Sequence, residues 1–495
     1  MTEEKQSYQK VMKATSLFGG VQVLQILIAI ARGKVLAMLL GPEGTGISNL
    51  LIRPLQLITA ATNLGLDQSA VKEISAKHAE GNEDATSRTI AILKQLVWVT
   101  ATVGAVIMAI FSPLLSEITF NSQEYTWSFV WLGLALVFNQ LAMSRIAILQ
   151  GLRKLAFLAK ANLYGALAGL IVTVPLYYFF KFDGILPAIV ATAGFLFFFA
   201  HYFARKEIKK YPAVSTKTAF GEGKEMIRLG LSMSVSGIIG LLVAYLILVY
   251  VRMQGGELEA GYYAAGIVIL NSYVGLIFNA MATDYFPRLS AICADKKATA
   301  QTVFEQAFIG VLLITPIIVA FVAFAPIIIP LLYSGEFDNS VALVRWGILG
   351  MVFKAASWSM GYVILAKGDS SLFMKTAIGF NSLLLVLNVV GYQLYGLEGI
   401  GMSMLLYLMI HFIAVRIIVF YRYDFRMPKG FYPIFMVCLM FCGAAFGATY
   451  IETPLLKYGV LALLIGISSL YSFRRLDAKI GFKTLIASIL KKKKQ

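Results

Sequence analysis

The stretch NLLIRPLQLITAATNLGLD, residues 49–67, is apolar enough to lie in a membrane, yet it carries Arg53, Pro54 and Asp67. A charged side chain at the centre of a bilayer costs about 2.5–3.5 kcal/mol on insertion scales. Ionisable residues at such depth usually face the interior of a helix bundle or a water-filled cavity. The stretch therefore predicts a membrane helix with one side turned toward a polar interior.

The composition of the whole chain agrees with this interpretation. The 495 residues are 59% hydrophobic and 14% charged, whereas soluble domains are about 45–50% apolar and about 25% charged. Apolar runs recur at roughly 20 residues, enough to cross a bilayer as a helix. We predict an all-α polytopic membrane protein with fourteen spans: 15–40, 44–70, 88–113, 124–148, 156–180, 184–204, 227–252, 260–284, 303–330, 340–366, 371–395, 398–420, 432–451 and 455–473.

The loops between these spans alternate in charge. SEITFNSQEY, MQGGELEAG, SGEFDNS and YGLEG contain no Lys or Arg, whereas basic residues cluster in the alternate loops and the KKKK tail. The positive-inside rule then predicts that the basic loops and both termini are cytoplasmic. It also explains the net charge of +17, so we expect no nucleic-acid partner.

An internal repeat divides the chain. Trp131-Leu-Gly aligns with Trp346-Gly-Ile, and Asp183-Gly-Ile aligns with Glu398-Gly-Ile, both with the same difference in residue number, which we call the repeat offset. Six crossings return the chain to the side where it began, so the two copies are parallel repeats. We predict an N-terminal six-helix lobe at 1–210, a cytoplasmic linker at 211–226 and a second six-helix lobe at 227–425. Two extra spans and a basic tail would occupy 426–495.

Signatures of enzymes and cofactor sites are missing from the sequence. It contains no GxxxxGK[ST] and no HExxH, and the three cysteines do not have the spacing of a metal site. We therefore predict that the chain is not an enzyme and has no cofactor or bound metal. A transporter without an ATP site would be driven by a gradient of H⁺ or Na⁺, or by downstream consumption of its product.

The polar residues of the opening stretch share one helix face. Asn49, Arg53, Gln56, Asn63 and Asp67 are spaced +4, +3, +7 and +4, which at 100° per residue places them along one stripe. Two interpretations of Arg53 remain: it lines a polar interior, or it snorkels to the outer interface. Its depth of about 13 Å, at 1.5 Å per residue, favours the interior.

The deep charges of the other spans are mostly cationic. A cavity for a cationic drug would need carboxylates, whereas arginines suit phosphate oxygens. The sequence thus predicts an anionic substrate. The candidate substrate-binding cations are Arg32, Arg53, Lys354, Arg252 and Arg345, of which the last two lie near outer span ends and are equally compatible with snorkelling. Gln25, Asn49, Gln56, Asn63, Asn139 and Asn279 are candidate polar cavity residues, and Asp67 and Asp284 candidate gate or coupling residues.

Several motifs resemble one family. They are Gly33-Lys34-Val-Leu-Ala, Gly41-Pro42-Glu-Gly44-Thr-Gly46 and Arg53-Pro-Leu-Gln-Leu-Ile in the first hairpin, Phe286-Pro-Arg-Leu-Ser after span 8, and Lys354 followed by Gly361-Tyr-Val-Ile-Leu-Ala-Lys367 in span 10. This order resembles that of Wzx-type O-antigen flippases, whose MOP superfamily includes MATE drug exporters and lipid II flippases. The resemblance covers nearly the whole chain.

The resemblance implies a fold and a function. The fold is MATE-like, with two pseudo-symmetric six-helix lobes that alternate between inward and outward states. The function is translocation of undecaprenyl-diphosphate-linked oligosaccharide from the cytoplasmic to the periplasmic leaflet of a bacterial inner membrane, in lipopolysaccharide biosynthesis. The implied partners are the lipid-linked oligosaccharide, membrane lipids and the polysaccharide polymerase or ligase machinery, with the protein acting as a monomer.

Two other functions compete with this one. A MATE-like cation-coupled small-molecule exporter would be favoured by acidic residues deep in the first lobe, where Asp67 is the strongest candidate. A polysaccharide polymerase or ligase would need a long outer loop, and the longest outer loop predicted here has about a dozen residues. The sequence leaves open the sugar composition, the coupling ion and the role of the last two spans.

Overall fold

The computed structural model describes residues 3–207 and 212–480, with side chains described from Leu24 onward. Two predicted site residues, Asn279 and Asp284, have side chains outside this description. The described chain is almost entirely helical. Its first eight helices are α1 (Glu3–Asn63), α2 (Leu66–Ala79), α3 (Glu83–Ile110), α4 (Ser112–Phe120), α5 (Thr126–Gly151), α6 (Leu155–Phe180), α7 (Ile185–Glu207) and α8 (Thr216–Glu222).

The remaining helices follow α8. They are α9 (Lys224–Val268), α10 (Leu276–Ile292), α11 (Lys296–Leu332), α12 (Ser340–Leu349), α13 (Met351–Ala366), α14 (Ser370–Tyr423), α15 (Phe431–Ala448) and α16 (Pro454–Ile480). Short 3₁₀ turns occupy Lys181–Gly184 and Gly335–Phe337, and a π-helical segment covers Ile269–Val274. No strand occurs within residues 3–207 and 212–480.

The apolar helices are long enough to cross a membrane many times. Nine segments of the described chain qualify, or ten when Ser340–Leu349 and Met351–Ala366, bent by 46°, count as one broken span. Several of the nine contain a break in the helical backbone, at Gly41, Gly256, Tyr395–Gly396 and Lys181–Gly184. Since each break separates two spans, the helices are compatible with the fourteen predicted crossings. The protein is a multi-pass membrane protein.

Several breaks recur at the offset of the repeat predicted from the sequence. Three pairs of residues with positive φ are separated by the repeat offset: Gly41 (64°) with Gly256 (74°), Arg153 (55°) with Gly368 (70°), and Lys181 (52°) with Gly396 (57°). A left-handed residue costs roughly 1–2 kcal/mol for an L-amino acid other than glycine. The first copy accepts this cost at Arg153 and Lys181, where the second copy has glycine. The same backbone turns therefore recur even where the residue type does not favour them.

The chain forms two compact units. The first contains residues 1–261 and 332–334. Within it, α7 packs on α5 and α6, and α3 packs on α5. A buried cluster that includes Leu66, Ile74, Leu93 and Leu96 joins α2 to α3. This packing fixes the junction of α1 and α2, where Asn63 and Asp67 lie.

The second unit contains residues 262–331 and 335–495. Within it, α14 packs on α12 and α13, and α15 packs on α12. The contact with α15 is aromatic: the rings of Trp346 and Phe446 lie 4.4 Å apart, and those of Phe353 and Phe435 lie 5.5 Å apart. The first of the two extra spans is thus an integral part of this unit's packing.

The compact units and the repeat divide the chain at different places. Residues 224–261 of α9 belong to the first unit by their contacts, whereas the repeat assigns residues from 227 onward to the second lobe. The predicted lobe boundaries describe the repeat, and they stay a prediction.

Candidate functional site

A polar pocket lies within the first unit. Its volume is about 520 Å³, and it is lined by residues of α1, α2, α5, α7 and α9. The polar side chains on its wall are Gln56, Thr59, Asn63, Asp67, Gln68, Asn139 and Ser234. Four of these, Gln56, Asn63, Asp67 and Asn139, are among the residues predicted from the sequence. We refer to this cavity as the first-unit pocket.

The second half of α1 presents its polar face to this pocket. On its opposite face Leu51 is only 2% exposed. That face packs into the protein, so the polar stripe is turned the other way. Gln56 is exposed, and Arg53 is partly exposed. The stripe predicted over residues 49–67 is interrupted, because α1 ends at Asn63 and Asp67 lies on α2. Gln56, Asn63 and Asp67 line the pocket together with the apolar Leu55.

Arg53 lies beside the pocket, one helical turn from its wall. Its Nη1 donates a hydrogen bond to Oε1 of Gln56 over 3.4 Å, and Gln56 lines the pocket. The contact is long for a hydrogen bond, whose usual N–O distance is about 2.9–3.0 Å. The guanidinium can therefore turn to an anion without breaking a strong bond.

Asp67 and Asn63 form a polar pair at the other end of the stripe. Nδ2 of Asn63 donates to Oδ1 of Asp67 over 2.7 Å, and Asn63 is 5% exposed. Asp67 lies in the first turn of α2, where a negative charge is favoured by the helix dipole. The carboxylate is thus held at the junction of α1 and α2 and contacts the pocket.

The junction itself is a close approach of two backbones. Gly65, at a φ of 66°, ends the turn between α1 and α2. A Cβ built on Gly65 would lie 2.2 Å from the carbonyl oxygen of Gly230 on α9, and one on Gly230 would lie 2.4 Å from that of Leu64. No side chain fits at either position. Both glycines are therefore required for α9 to form this part of the pocket wall.

Sequence reasoning missed Gln140, which is hydrogen-bonded to residues of two neighbouring helices next to the pocket. This side chain is fully buried; its Nε2 donates to Oγ1 of Thr62 over 2.7 Å, and its Oε1 accepts from Oγ1 of Thr100 over 3.0 Å. A single amide next to Asn139 has no periodicity that would separate it from the apolar residues around it. Thr59 was missed as well; its buried hydroxyl has no hydrogen-bond partner among the described residues, and it lines the pocket.

The remaining predicted residues of α1 have other surroundings. Arg32 lies with Ser48 beside the hydroxyl of Tyr177, a residue only 1% exposed. Asn49 donates to the carbonyl of Thr45 over 2.9 Å, one turn earlier in the same helix. Gln25 is partly buried. None of these three predicted residues lines the first-unit pocket in the described part of the chain.

The two arginines near outer span ends differ in their contacts. Nε of Arg252 pairs with Oε1 of Glu257 at 2.9 Å, and its Nη2 donates to the carbonyl of Phe120. The bond to Phe120 joins α9 to the end of α4. Nε of Arg345 is buried with no hydrogen-bond partner among the described residues, and Tyr450 and Tyr458 are close enough to interact with its charge.

Lys354 belongs to the second unit. Its Nζ lies 5.5 Å from the centre of the Phe278 ring, a distance at which a cation is attracted to the ring face. Its interaction with His411 is repulsive when both are charged. Because Arg53 and Lys354 lie in different units, the predicted cationic patch of Arg32, Arg53 and Lys354 stays a prediction.

A match to a protein-family profile identifies the family of this chain. Residues 35–342 match the profile of a family described as polysaccharide biosynthesis protein. The chain belongs to the polysaccharide biosynthesis protein family. A search of curated proteins found no significant match to the sequence.

Solved structures show the fold. The inward-facing conformation of a multidrug resistance MATE family transporter of the MOP superfamily is 15% identical, with a TM-score of 0.67 over 85% of this chain and 95% of that one. The lipid II flippase MurJ in an inward closed conformation is 13% identical, with a TM-score of 0.66 over 93% of this chain and 99% of that one. The predicted all-α, MATE-like fold is confirmed.

Proposed function

We propose that this protein is a flippase that moves an undecaprenyl-diphosphate-linked oligosaccharide, an O-antigen or related surface-polysaccharide repeat unit, from the cytoplasmic to the periplasmic leaflet by alternating access. Membership of the polysaccharide biosynthesis family supports a role with glycans. The likeness of fold to the lipid II flippase MurJ supports a route for lipid-linked substrates. The chain contains no nucleotide-binding signature, so translocation would be driven by an ion gradient or by consumption of the product.

The observation that carries the proposal is the position of Arg53. Its guanidinium is bonded only weakly to Gln56 on the wall of a polar pocket. A guanidinium presents a planar fork of N–H donors that matches the oxygens of a phosphate. The diphosphate and the undecaprenyl chain are the parts of the proposed substrate that every repeat unit shares, and of the two only the diphosphate is charged. Arg53 would hold that group while Gln56, Asn63 and Asn139 offer hydrogen bonds to sugar hydroxyls.

The proposal also covers the location of the protein in the cell and its partners. The basic loops would lie in the cytoplasm together with both termini, and the membrane would be a bacterial inner membrane. Lipid-linked repeat units would arrive from the cytoplasmic leaflet and leave toward a polymerase or ligase. The protein would act as a monomer, since each chain contains both copies of the repeat.

Complementation tests the proposal. The gene is expressed in a panel of flippase-deficient strains, each of which assembles one defined repeat unit on its cytoplasmic leaflet. We expect periplasmic or surface glycan to return in at least one strain, together with loss of the accumulated lipid-linked intermediate. Glycan is measured per molecule of protein in the membrane.

The matched control is Arg416→Ala beside Arg53→Ala. Arg416 is an exposed arginine of the membrane helix α14, with its guanidinium 5.0 Å from the ring centre of Tyr432. Both variants remove one arginine from a span, but only Arg53 adjoins the first-unit pocket. Complementation that is lost equally in both variants, or absent from every strain at normal abundance, would count against the proposal.

One observation favours a second candidate, a MATE-like cation-coupled exporter of small molecules. The first-unit pocket contains the carboxylate of Asp67, which could bind a proton, a sodium ion or a cationic drug. We assign Asp67 instead to the junction of α1 and α2, because its Oδ1 is already bonded to Asn63. Asp67→Asn should then leave the response of transport to a proton gradient intact. Transport that becomes insensitive to the gradient in this variant would favour the second candidate.

A further inference from the structure

A second pocket lies wholly within the second unit, at the ends of its helices. It has a volume of about 370 Å³. Three separate segments form it: the start of α11, the residues just before and after the end of α13, and the end of α14 with the residues that follow. All three belong to loops that the distribution of Lys and Arg predicts to be cytoplasmic. We call this cavity the basic pocket.

The basic pocket has a large excess of positive charge. Its lining includes Lys296, Lys297, Lys367 and Arg426, but only one carboxylate, Asp424. Within the described residues, Asp424 pairs with Lys296 at 3.1 Å. The other three cations are not neutralised by this carboxylate. The pocket thus retains three positive charges in a concave site.

The cations are held above an apolar floor. Val363 and Phe425 line the pocket and are 1% and 8% exposed. Nζ of Lys367 donates to the carbonyl of Cys293, which ties the end of α13 to the end of α10. The guanidinium of Arg426 lies 5.1 Å from the centre of the Phe420 ring. Two of the cations are therefore positioned by contacts with the protein.

The four cations of the basic pocket are not repeated at the equivalent positions of the first copy. At the repeat offset, Gly81, Asn82, Leu152 and Tyr211 stand in place of Lys296, Lys297, Lys367 and Arg426. The repeat therefore does not require these charges. The positive-inside rule sets the number of basic residues in short loops, but it does not require that three loops bring them together around one cavity.

We infer that the basic pocket binds the phosphorylated headgroup of a membrane lipid at the end of the second unit. A phosphate or diphosphate carries the several negative charges that the cations lack, and lysine and arginine are the usual donors to its oxygens. The apolar floor suits the portion of the lipid next to the phosphate. Two lipids share this chemistry: an anionic phospholipid and an isoprenoid diphosphate. The site is independent of the proposed transport function, because a lipid can bind there whether or not the protein flips it.

The test is binding to the purified full-length protein in neutral phosphatidylcholine nanodiscs. Three probes are used: inorganic diphosphate, phosphatidylglycerol and undecaprenyl diphosphate. The pocket variant is Lys297→Gln with Arg426→Gln. Its matched control is Lys429→Gln with Arg474→Gln, which removes the same two charge types from exposed residues of the second unit that do not line the pocket.

We expect inorganic diphosphate and at least one lipid to bind the parent and the control equally. Exposed charge pairs contribute about 0.2–1 kcal/mol each, so the pocket variant should bind them about 2- to 30-fold more weakly. If phosphatidylglycerol is the only one of the two lipids that binds the pocket variant more weakly, the site is a phospholipid site. If undecaprenyl diphosphate is the only one, the site is for the isoprenoid lipid. Either result supports the inference. Equal weakening in the control, or unchanged binding of all three probes in the pocket variant, would overturn it.

Discussion

The two copies of the repeat close their last helical hairpin with the same ion pair, but with the charges exchanged. In the first copy Nζ of Lys154 lies 2.5 Å from Oε2 of Glu207. In the second copy, at the repeat offset, Asp369 stands in place of the lysine and Arg422 in place of the glutamate, with Nη2 and Oδ2 3.0 Å apart. An attraction between two charges does not change when both signs are reversed. The geometry is therefore retained while the residues differ.

The exchange of charges changes how the ion pair interacts with the helix dipoles. Lys154 is the N-cap of α6, where its positive charge opposes the helix dipole. Asp369 is the N-cap of α14, where its Oδ1 accepts from the backbone N–H of Leu372, and Arg422 lies in the last turn of that helix. Both charges of the second copy are favoured by the dipole. The ion pair of the second copy therefore agrees better with the dipoles of its helices than the ion pair of the first copy does.

The deep cations of the spans behave differently, because they are not repeated at all. At the repeat offset, Arg32 is replaced by Ile247, Arg53 by Val268, and Lys354 corresponds to Asn139. A charge needed by the fold should recur with the fold, as the ion pair does. These cations are present in only one copy, which is what a substrate-binding role predicts for an asymmetric anion.

The largest effect is expected for Arg53, whose counterpart is apolar. Arg53→Ala should reduce glycan export at least about 10-fold at equal abundance, because a hydrogen bond to a charged group contributes about 1.5–3 kcal/mol. Arg53→Lys should recover only part of the activity, since an ammonium lacks the planar fork. Glycan exported per molecule of protein in the membrane is the measurement. Full activity of Arg53→Ala would show that this asymmetry is not functional.

A smaller loss is expected for Lys354, whose counterpart is a neutral amide. Lys354→Gln should lower export about fivefold, on the order of 1 kcal/mol for one charged contact. Lys354→Arg should largely preserve export, since the positive charge remains. The same export assay checks both variants. If Lys354→Gln equals the parent, Lys354 has no contact with substrate and its attraction to the Phe278 ring is structural.

The tryptophans of the repeat allow a comparison of stability. Nε1 of Trp346 donates to Oε1 of Glu398 over 2.8 Å, and its ring packs on Phe446, whereas Trp131 is 57% exposed. Trp346→Ala should destabilise the protein by about 1–3 kcal/mol through the lost ring contact and hydrogen bond. Trp131→Ala should change stability by less than about 0.5 kcal/mol. Unfolding by denaturant in one detergent measures the free energy of unfolding of both variants. An equal loss of stability in the two variants would show that α15 contributes nothing to the packing of Trp346.

The smallest effect is expected when the ion pair of the first copy is given the signs of the second. Lys154→Asp with Glu207→Arg should raise the thermal midpoint slightly, because the aspartate at the N-cap of α6 then agrees with the helix dipole. Each single reversal should lower it, since like charges then meet. A double variant less stable than either single one would show that the pairing is not interchangeable.

The pair in the second copy also predicts a dependence on pH. The pKa of Asp369 lies below its ordinary value because its carboxylate accepts from the backbone N–H of Leu372 and from Arg422. The stabilisation is therefore complete above the ordinary aspartate pKa of about 3.9 and is lost as the pH falls through the lower pKa of the folded state. Asp369→Asn should remove this acid-side loss of stability in a pH series of thermal midpoints.

The features predictable from the sequence are local or periodic. The shared face of Gln56 and Asn63 on α1 follows from helical spacing, and the repeat follows from an offset that aligned motifs reveal. The first-unit pocket could not be predicted from spacing alone, because Gln56 and Asn63 are brought together with Asn139 by the packing of helices that are distant in the sequence. The basic pocket depends on Lys296 and Arg426, which are far apart in the sequence. No spacing rule joins such residues, and a buried amide such as Gln140 has no signal of its own.

The flippase assignment is tested most directly by reconstitution. The purified protein is placed in liposomes that contain a fluorescent undecaprenyl-diphosphate-linked oligosaccharide, and an impermeant quencher reports the fraction in the outer leaflet over time, with and without an imposed ion gradient. We predict that the parent and Arg416→Ala move the labelled lipid between leaflets, and that Arg53→Ala does so no faster than protein-free liposomes. If the parent matches protein-free liposomes under every gradient while it exports a small cationic dye, the protein is an exporter and not a flippase.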